Sequence, residues 1–448
     1  MANVANLIKT LDQGVDSTTA IGGVLFTDRR QFYVDPGTYS ELWAAVTPFL
    51  TTIMQRGGVK SGLSDPMFKM FEHKNPWEKE EFTTTTAGTI PDDDTGITIA
   101  VATVTGLNGL IVTASDISWK GLIFECWDST KTTKRGAAIA TTVTAGSGNI
   151  TMKNAGTTAF TTVSGDIFVC IGHVSGEGQT APSAYSDELS VVWNSCGIQR
   201  TSVEITGTLY QASLRGANKE LERLRKQKLE AHKVRDERML MRSFSVLGTN
   251  ADAAGTFADK WRTDSDSKKI RTTFGFIPAL ETYGTSTATS DSQNLFDFTG
   301  GLNFNQWALA TEKIWQYLPE SGVKDFFCGP RAMTYWSLID QAGKLRSGFD
   351  IKLSDMKTDV VGVFFKYLET PMGIARLIYT PSMKREYTNY MLACTPENIF
   401  RAEYRPMVYK TNIKTEDDYD GVKDTYRSDH GIGIQNILSH ALVKVPLQ

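Results

Sequence analysis

The chain has 448 residues, of which 41% are hydrophobic and 22% charged, the balance of a soluble globular protein of about three modules. Its 47 basic and 50 acidic residues give a net charge of −3, without the basic excess of a protein built to grip nucleic-acid phosphates. The five cysteines, at 126, 170, 196, 328 and 394, are an odd number with no CxxC pair, which argues against a disulfide framework and a zinc cluster.

Residues 1–34 carry little periodicity and read as an extended arm. Their opening, MANVANLIKTLDQGVD, has one basic residue, Lys9, and no apolar stretch of signal-peptide length, so the protein is expected to stay where it is made. No run of about 18 apolar residues follows anywhere, so no membrane span is expected. A helix is predicted after Thr47, with Pro48 in its first turn, Phe49, Leu50, Ile53 and Met54 on its apolar face, and Gly57–Gly58 at its end. The stretch FEHKNPWEKEEF (71–82) is polar and aromatic, and Pro76 breaks any helix there.

Composition changes after residue 94. Between Thr95 and Ser175 lie sixteen threonines and only nine charged residues, and short alternating runs such as ITIAVATV and DIFVCIG stand between Gly, Ser and Asn turns. This predicts a compact all-β module, with Trp119, Phe124, Trp127, Phe160 and Phe168 available for its core. A long helix is predicted over roughly 211–246. Fourteen charged residues, nine basic and five acidic, lie between Lys219 and Arg242, and Leu214, Ala217, Leu221 and Leu224 form a narrow seam. Residues 248–304 read mainly as loops around the apolar patch FGFIPAL (274–280). An α/β pattern follows: a helix over 305–318 with Trp307, Ile314 and Leu318 on one face, a strand over 323–329, a helix over 331–343, and strands over 373–380 and 389–394. Near the end, Ile432 and Ile434 alternate out of register with Ile437, Ala441, Val443 and Val445, which a bulge near Gln435–Asn436 would reconcile.

Catalytic signatures are absent: no GxxxxGK[ST], HExxH, GxGxxG or GxSxG occurs. His430, beside Ser428 and Asp429, gathers a triad's residue types, but neighbours on a strand point to opposite faces and cannot form the relay. His173 reads as the end of a strand, and His73 and His232, in charged surroundings, as solvated. The acidic runs 92–94 and 416–418 lack the spacing of a calcium loop. On the long helix, carboxylates interleave with the basic residues, which favours salt bridges between subunits over nucleic-acid contact. No catalytic, cofactor or metal residue is assigned.

The order of these parts resembles the major capsid proteins of tailed bacteriophages, the Hong Kong ninety-seven type fold, in the branch with a β-domain inserted in the extended loop. The carriers of the resemblance are TPFLTTI (47–53), FEHKNPWEKEEF (71–82), NSCGIQRTSVEITGTL (194–209), ETPMGIARLIY (369–379), YMLACTPENIFRAEYRPM (390–407) and DTYRSDHGIGIQNILSHALVKV (424–445). The resemblance implies an α+β fold. It places an N-terminal arm at 1–70 and an extended loop at 71–210 with the inserted β-domain at 95–175. A peripheral domain at 211–300 contains the spine helix 211–246, an axial domain spans 301–420, and C-terminal strands at 421–448 return to the peripheral domain.

The implied function is self-assembly into hexamers and pentamers of an icosahedral shell around the double-stranded DNA genome, assembled in the host cytoplasm and carried in the virion. The implied partners are further copies of the chain, a portal, a separate scaffolding protein, a decoration or cement protein where one is used, and packaged DNA through weak non-specific contact. No membrane, cofactor or enzymatic activity is implied. Two other readings stay open: an encapsulin-like nanocompartment shell, and a β-rich adhesin or tail protein.

Overall fold

The computed structural model describes residues 47–446 except 73–80, 107–109, 112–119, 145–148, 179–188, 212–219, 245–262, 269, 288–292, 303, 318–320, 336–356, 359–363, 371 and 414–419. The arm 1–34 and His73 therefore lie outside the described residues, as do Trp119, Leu214, Ala217 and most of the helix expected over 331–343. The architecture is α+β with strands dominant, and the chain divides into two units, residues 67–194 with 433–437, and the remainder. No helix among the described residues is long and apolar enough to cross a membrane.

The smaller unit is built on a closed ring of six antiparallel strands. Glu81–Thr84 pairs with Ile167–His173, which pairs with Leu122–Trp127, then Lys134–Thr144, Asn149–Asn154 and Ile97–Gly106, which returns to Glu81–Thr84. Closure removes the open edges that make isolated sheets sticky. Period-two alternation sends Phe82, Ile99, Phe124, Cys126, Ala138, Ala140, Ile150, Met152 and Phe168 into a shared apolar core. Phe82 stacks on Phe168 at 4.8 Å and meets Phe124 edge-on at 5.3 Å. Gly136 is required by this packing: a Cβ there would stand 2.3 Å from the Phe160 ring. Of the aromatics expected in the core, Phe124, Phe160 and Phe168 are buried and Trp127 half-buried. Phe82, ahead of residue 95, is the one the sequence reading left out. The same unit holds a two-stranded ribbon, Met67–Glu72 with Ser190–Ser195.

The larger unit contains two sheets. The first has four strands in the order Val59–Ser61, Ile399–Lys410, Gly421–Ile434, Gly197–Thr206. The second has seven, in the order Leu295–Asp297, Ala441–Lys444, Tyr390–Cys394, Val323–Cys328, Gly373–Tyr379, Phe364–Thr370, Lys357–Thr358. Val323–Cys328 is covered on both faces. On one side, Phe326 and Cys328 pack with Trp307, Ala310, Ile314 and Trp315 of the helix Phe304–Ile314 and its end. On the other, Phe327 meets Phe49 edge-on at 4.8 Å.

The predicted helix at Pro48 is present as Pro48–Thr52, continued by a π-helical turn Ile53–Gly57, with Phe49, Leu50 and Ile53 buried. Met54 is 42% exposed rather than part of the buried face, and the Thr47 side chain makes no capping hydrogen bond. Gly57 ends the turn because a Cβ there would lie 2.0 Å from the Ile399 carbonyl oxygen.

Two expectations are corrected. The patch FGFIPAL is a helix, Phe276–Tyr283, with residues 276–280 buried, because Pro278 falls in the first turn, where a missing N–H costs nothing. The register change near the C-terminus is no bulge. Asn436 turns left-handed at φ 49°, Ile437–Ser439 makes a 3-10 turn, and Ala441–Lys444 enters the seven-stranded sheet, leaving the four-stranded one behind. The final strand thus does not return to the sheet of Gly421–Ile434.

Candidate functional site

The long helix runs from Glu220 to Arg242. Its expected seam is only partly within the described residues: Leu221 and Leu224 are half-buried, so the isolated subunit leaves part of each side chain uncovered. The buried side of the helix is further along and largely polar, consisting of His232, Asp236, Glu237, Leu240 and Met241.

That polar face meets the strand Gly421–Ile434. Every second strand residue, Asp424, Tyr426, Ser428 and His430, is turned to the helix, and helix residues 225, 232 and 236 answer them at one-face spacing. Arg225 Nε donates to Asp424 Oδ2 at 2.7 Å, and Tyr409 OH donates to the same oxygen at 2.8 Å. Asn412 N–H donates to Asp424 Oδ1 at 2.8 Å. These donors hold the Asp424 carboxyl below the ordinary range although burial, the largest influence, pushes the other way. Tyr426 OH donates to the Arg225 carbonyl at 3.2 Å.

His232 lies between the hydroxyls of Thr201 and Ser428, each at 2.9 Å, and burial holds its imidazole below the usual pKa. This corrects the expectation that His232 is solvated. Its charged sequence neighbours, Lys233 and Arg235, are exposed, while its own side chain is turned the other way. His430 is also buried, with Nδ1 2.9 Å from Asp236 Oδ2 and Nε2 3.1 Å from Glu403 Oε1, and Arg401 Nη2 donates to Asp236 Oδ2 at 3.0 Å. Asp429 points to the opposite face, where Arg405 Nε donates to it at 2.5 Å. The relay that the adjacent residue types invite is therefore excluded by the alternation of the strand.

Two further anchors tie the Pro48 helix to this framework. Glu237 Oε2 accepts the Leu50 N–H at 3.2 Å, and burial pushes the Glu237 carboxyl up to about 7. Arg56 Nη1 donates to Asp325 Oδ1 at 2.7 Å. Arg376 grips both oxygens of that carboxylate at 2.7 and 3.1 Å, a bidentate geometry that stabilises a buried charge. On the other face of the same strand, Lys324 Nζ donates to the Ile314 and Ser439 carbonyls at 2.6 and 2.8 Å, and burial pushes its pKa down to about 7. A neutral amine satisfies both carbonyls, which makes this buried lysine tolerable.

These groups find partners inside the fold, although among the described residues Asp236 Oδ1, Glu237 Oε1 and Asp429 Oδ1 are buried without a hydrogen bond, and they join segments far apart in sequence. Their chemistry is that of structural bonding. Burial pushes the Cys126 and Cys196 thiols up to about 12, far from a reactive thiolate. No group of three metal-ligating side chains occurs among the described residues. The sequence reading missed the polar interface under the helix. Its signal was the period-two row 424, 426, 428, 430 opposite the i, i+4 pair His232 and Asp236.

Comparisons with known proteins give one family match. The family model described as SU10 major capsid protein matches residues 41–445. No curated protein is similar enough to match. Among solved structures, the capsid of a native GTA particle aligns with a TM-score of 0.42 and 9% identity, covering 97% of this chain and 100% of its own. A structure from Mycobacterium phage Adephagia aligns at 0.36 with 9% identity, covering 62% and 81%. The holo-SrpI encapsulin of Synechococcus elongatus PCC 7942 aligns at 0.38 with 8% identity, covering 59% and 79%.

Proposed function

Because the chain belongs to the SU10 major capsid protein family, we propose that it assembles into hexamers and pentamers of a closed icosahedral shell enclosing packaged double-stranded DNA. The observation that carries this reading is the family match, which runs over residues 41–445 and so includes every described element. The subunit's own surface supports it. Phe244 and Leu309 are 65% and 64% exposed in the single chain, and Leu221 and Leu224 are half-covered, an unfinished state that further copies would complete.

Within this reading residues 1–70 serve as the arm, 71–210 as the extended loop carrying the β-domain, 211–300 as the peripheral domain and 301–420 as the axial domain. A portal, a separate scaffolding protein and, where used, a decoration protein complete the particle in the host cytoplasm. The protein has no catalytic role. An encapsulin-like compartment of the same fold is the second reading, and cargo separates the two.

Expression of the full chain, followed by sedimentation and electron microscopy, tests the proposal. Closed shells are expected, and particles from infected cells should carry DNA. Fibres or persistently monomeric protein overturn it, and shells loaded with an enzyme instead of DNA favour the compartment.

A further inference from the structure

The solvent face of the helix Glu220–Arg242 has a charge its sequence conceals. Counted along the chain, its five carboxylates dilute its basic residues. In the fold, Asp236 and Glu237 are buried beneath the helix and Glu230 is half-buried. Lys226, Lys228, Lys233, Arg235 and Arg238 are all exposed, and among the described residues none of the five has an ion-pair partner. Among the described carboxylates of the helix, Glu222 is exposed, and it is already engaged.

The five cations form two rows. Lys228, Arg235 and Arg238 follow the spacing that keeps residues on one face, whereas Lys226 and Lys233, each two residues before one of these, lie on the other side of the helix. From Lys228 to Arg238 the helix rises about 15 Å, at about 1.5 Å per residue. One strand of duplex DNA presents a phosphate about every 3.4 Å along its axis, so about four phosphates match the length of this row.

We infer that the face of the helix carrying Lys228, Arg235 and Arg238 is a binding surface for the phosphate backbone of duplex DNA, contacted without regard to sequence. The inference rests on the capsid reading and deepens it by naming the surface that touches the genome. A second copy of the chain is a poorer occupant. Its exposed acidic run at 92–94 is short, and Asp93 already accepts the Thr95 N–H at 3.0 Å while Asp94 pairs with Lys153 at 3.1 Å. No exposed aromatic lies among the five cations to stack on a base. The net charge of the whole chain is −3, so its overall charge adds no attraction for DNA. Contacts made by counterion release alone are weak at working salt and let DNA slide.

Fluorescence anisotropy of purified subunits with a short mixed-sequence duplex, between about 50 and 200 mM salt, measures the contact. The slope of log K against log salt changes by roughly 0.9 per phosphate neutralised. The triple variant Lys228→Ala/Arg235→Ala/Arg238→Ala should therefore flatten the slope by roughly 2.7. Ala231→Lys, which adds a cation between Lys228 and Arg235 on the same face, should steepen it. Electron microscopy of the same proteins reports shell formation separately. An unchanged slope in the triple variant overturns the inference, and if its shells still form, the capsid reading stands. Loss of shells with DNA binding unchanged also overturns it, and assigns the face to subunit contact. A flattened slope in the triple variant, together with wild-type protein that never forms shells, upholds the surface and removes the capsid reading.

Discussion

The six-stranded ring and the framework around the helix Glu220–Arg242 solve the same problem with opposite materials. The ring's core contains Phe82, Phe124, Phe168, Ile99, Ile150 and Met152, and its buried carboxylate, Asp166, pairs with Arg135 at 2.8 Å at the start of a strand. The larger unit places Lys324 and Asp325 side by side on its central strand, and His232, Asp236 and Glu237 under its longest helix. Apolar contact is non-directional and tolerates repacking. A buried charge demands a particular partner in a particular place, because leaving it alone costs several kcal/mol. The ring is thus expected to be a robust module. The larger unit is specified by a few irreplaceable pairs, as suits a subunit whose segments must hold one arrangement.

The largest expected effect comes from breaking one such pair. Asp325→Ala strands the Arg376 and Arg56 guanidiniums and should cost about 3–5 kcal/mol, read as a lowered urea midpoint of the larger unit. Removing charge from both sides, with Asp325→Leu and Arg376→Met, should recover much of that loss, and no recovery would contradict the pairing account. Phe82→Ala should cost a similar amount, about 3–5 kcal/mol, by opening a cavity against Phe124 and Phe168. Here, however, Phe82→Leu should recover most of the stability, because the ring needs volume and not a partner.

The contrast extends to pH. Glu237 is raised from 4.5 to about 7, so the native state holds a proton that the unfolded chain has lost. Its contribution to stability is fully present below about pH 4.5 and is lost as pH rises to about 7. Lys324 is lowered from 10.5 to about 7, so between those values the unfolded chain holds the extra proton and stability rises with pH. The two limbs together give the larger unit a stability minimum near neutral pH, each limb worth at most a few kcal/mol. Glu237→Gln should flatten the acid limb and Lys324→Met the alkaline one. Urea titrations across pH, with an intrinsic probe in each unit, check this, and a monotonic profile for the larger unit would count against it.

How far the sequence revealed these features depended on the range of the interactions. The Pro48 helix was legible because proline and the Gly57–Gly58 pair mark its ends locally. Strands such as Ile97–Gly106, Ile167–His173 and Val323–Cys328 were legible because alternation or continuous burial is written into each segment. Phe82 was not placed in the ring, because its strand is closed by pairing with Ile167–His173, about eighty-five residues away. His232 was misread because one-dimensional neighbours say nothing about which helix face turns inward. The break at Asn436 was read as a bulge because both arrangements restore the same apolar register. The interface under the helix went unseen because each half of it looks like ordinary surface polarity until the two halves meet.

The smallest expected effect lies on the surface of the smaller unit, where Gly88–Ile90 pairs with Phe160–Thr162 beside the ring. Thr89 and Thr161 hydroxyls pair across exposed strands at 3.1 Å, and Thr89→Ala should change stability by no more than about 0.5 kcal/mol in thermal melts. A larger loss would mean that the smaller unit depends on its polar exterior more than its apolar core suggests.

As a shell subunit, this chain should have the first turns of its long helix, at Leu221 and Leu224, covered by neighbouring copies. The most direct measurement is electron microscopy of the double variant Leu221→Asp/Leu224→Asp, beside circular dichroism and thermal melting of its free subunit. Both leucines are half-buried in the single chain, so the subunit should stay folded with a melting temperature close to the parent's. Carboxylates buried there in a shell without partners would cost several kcal/mol per contact, so closed particles should be absent. Normal shells of parental heat resistance from this variant would contradict the account.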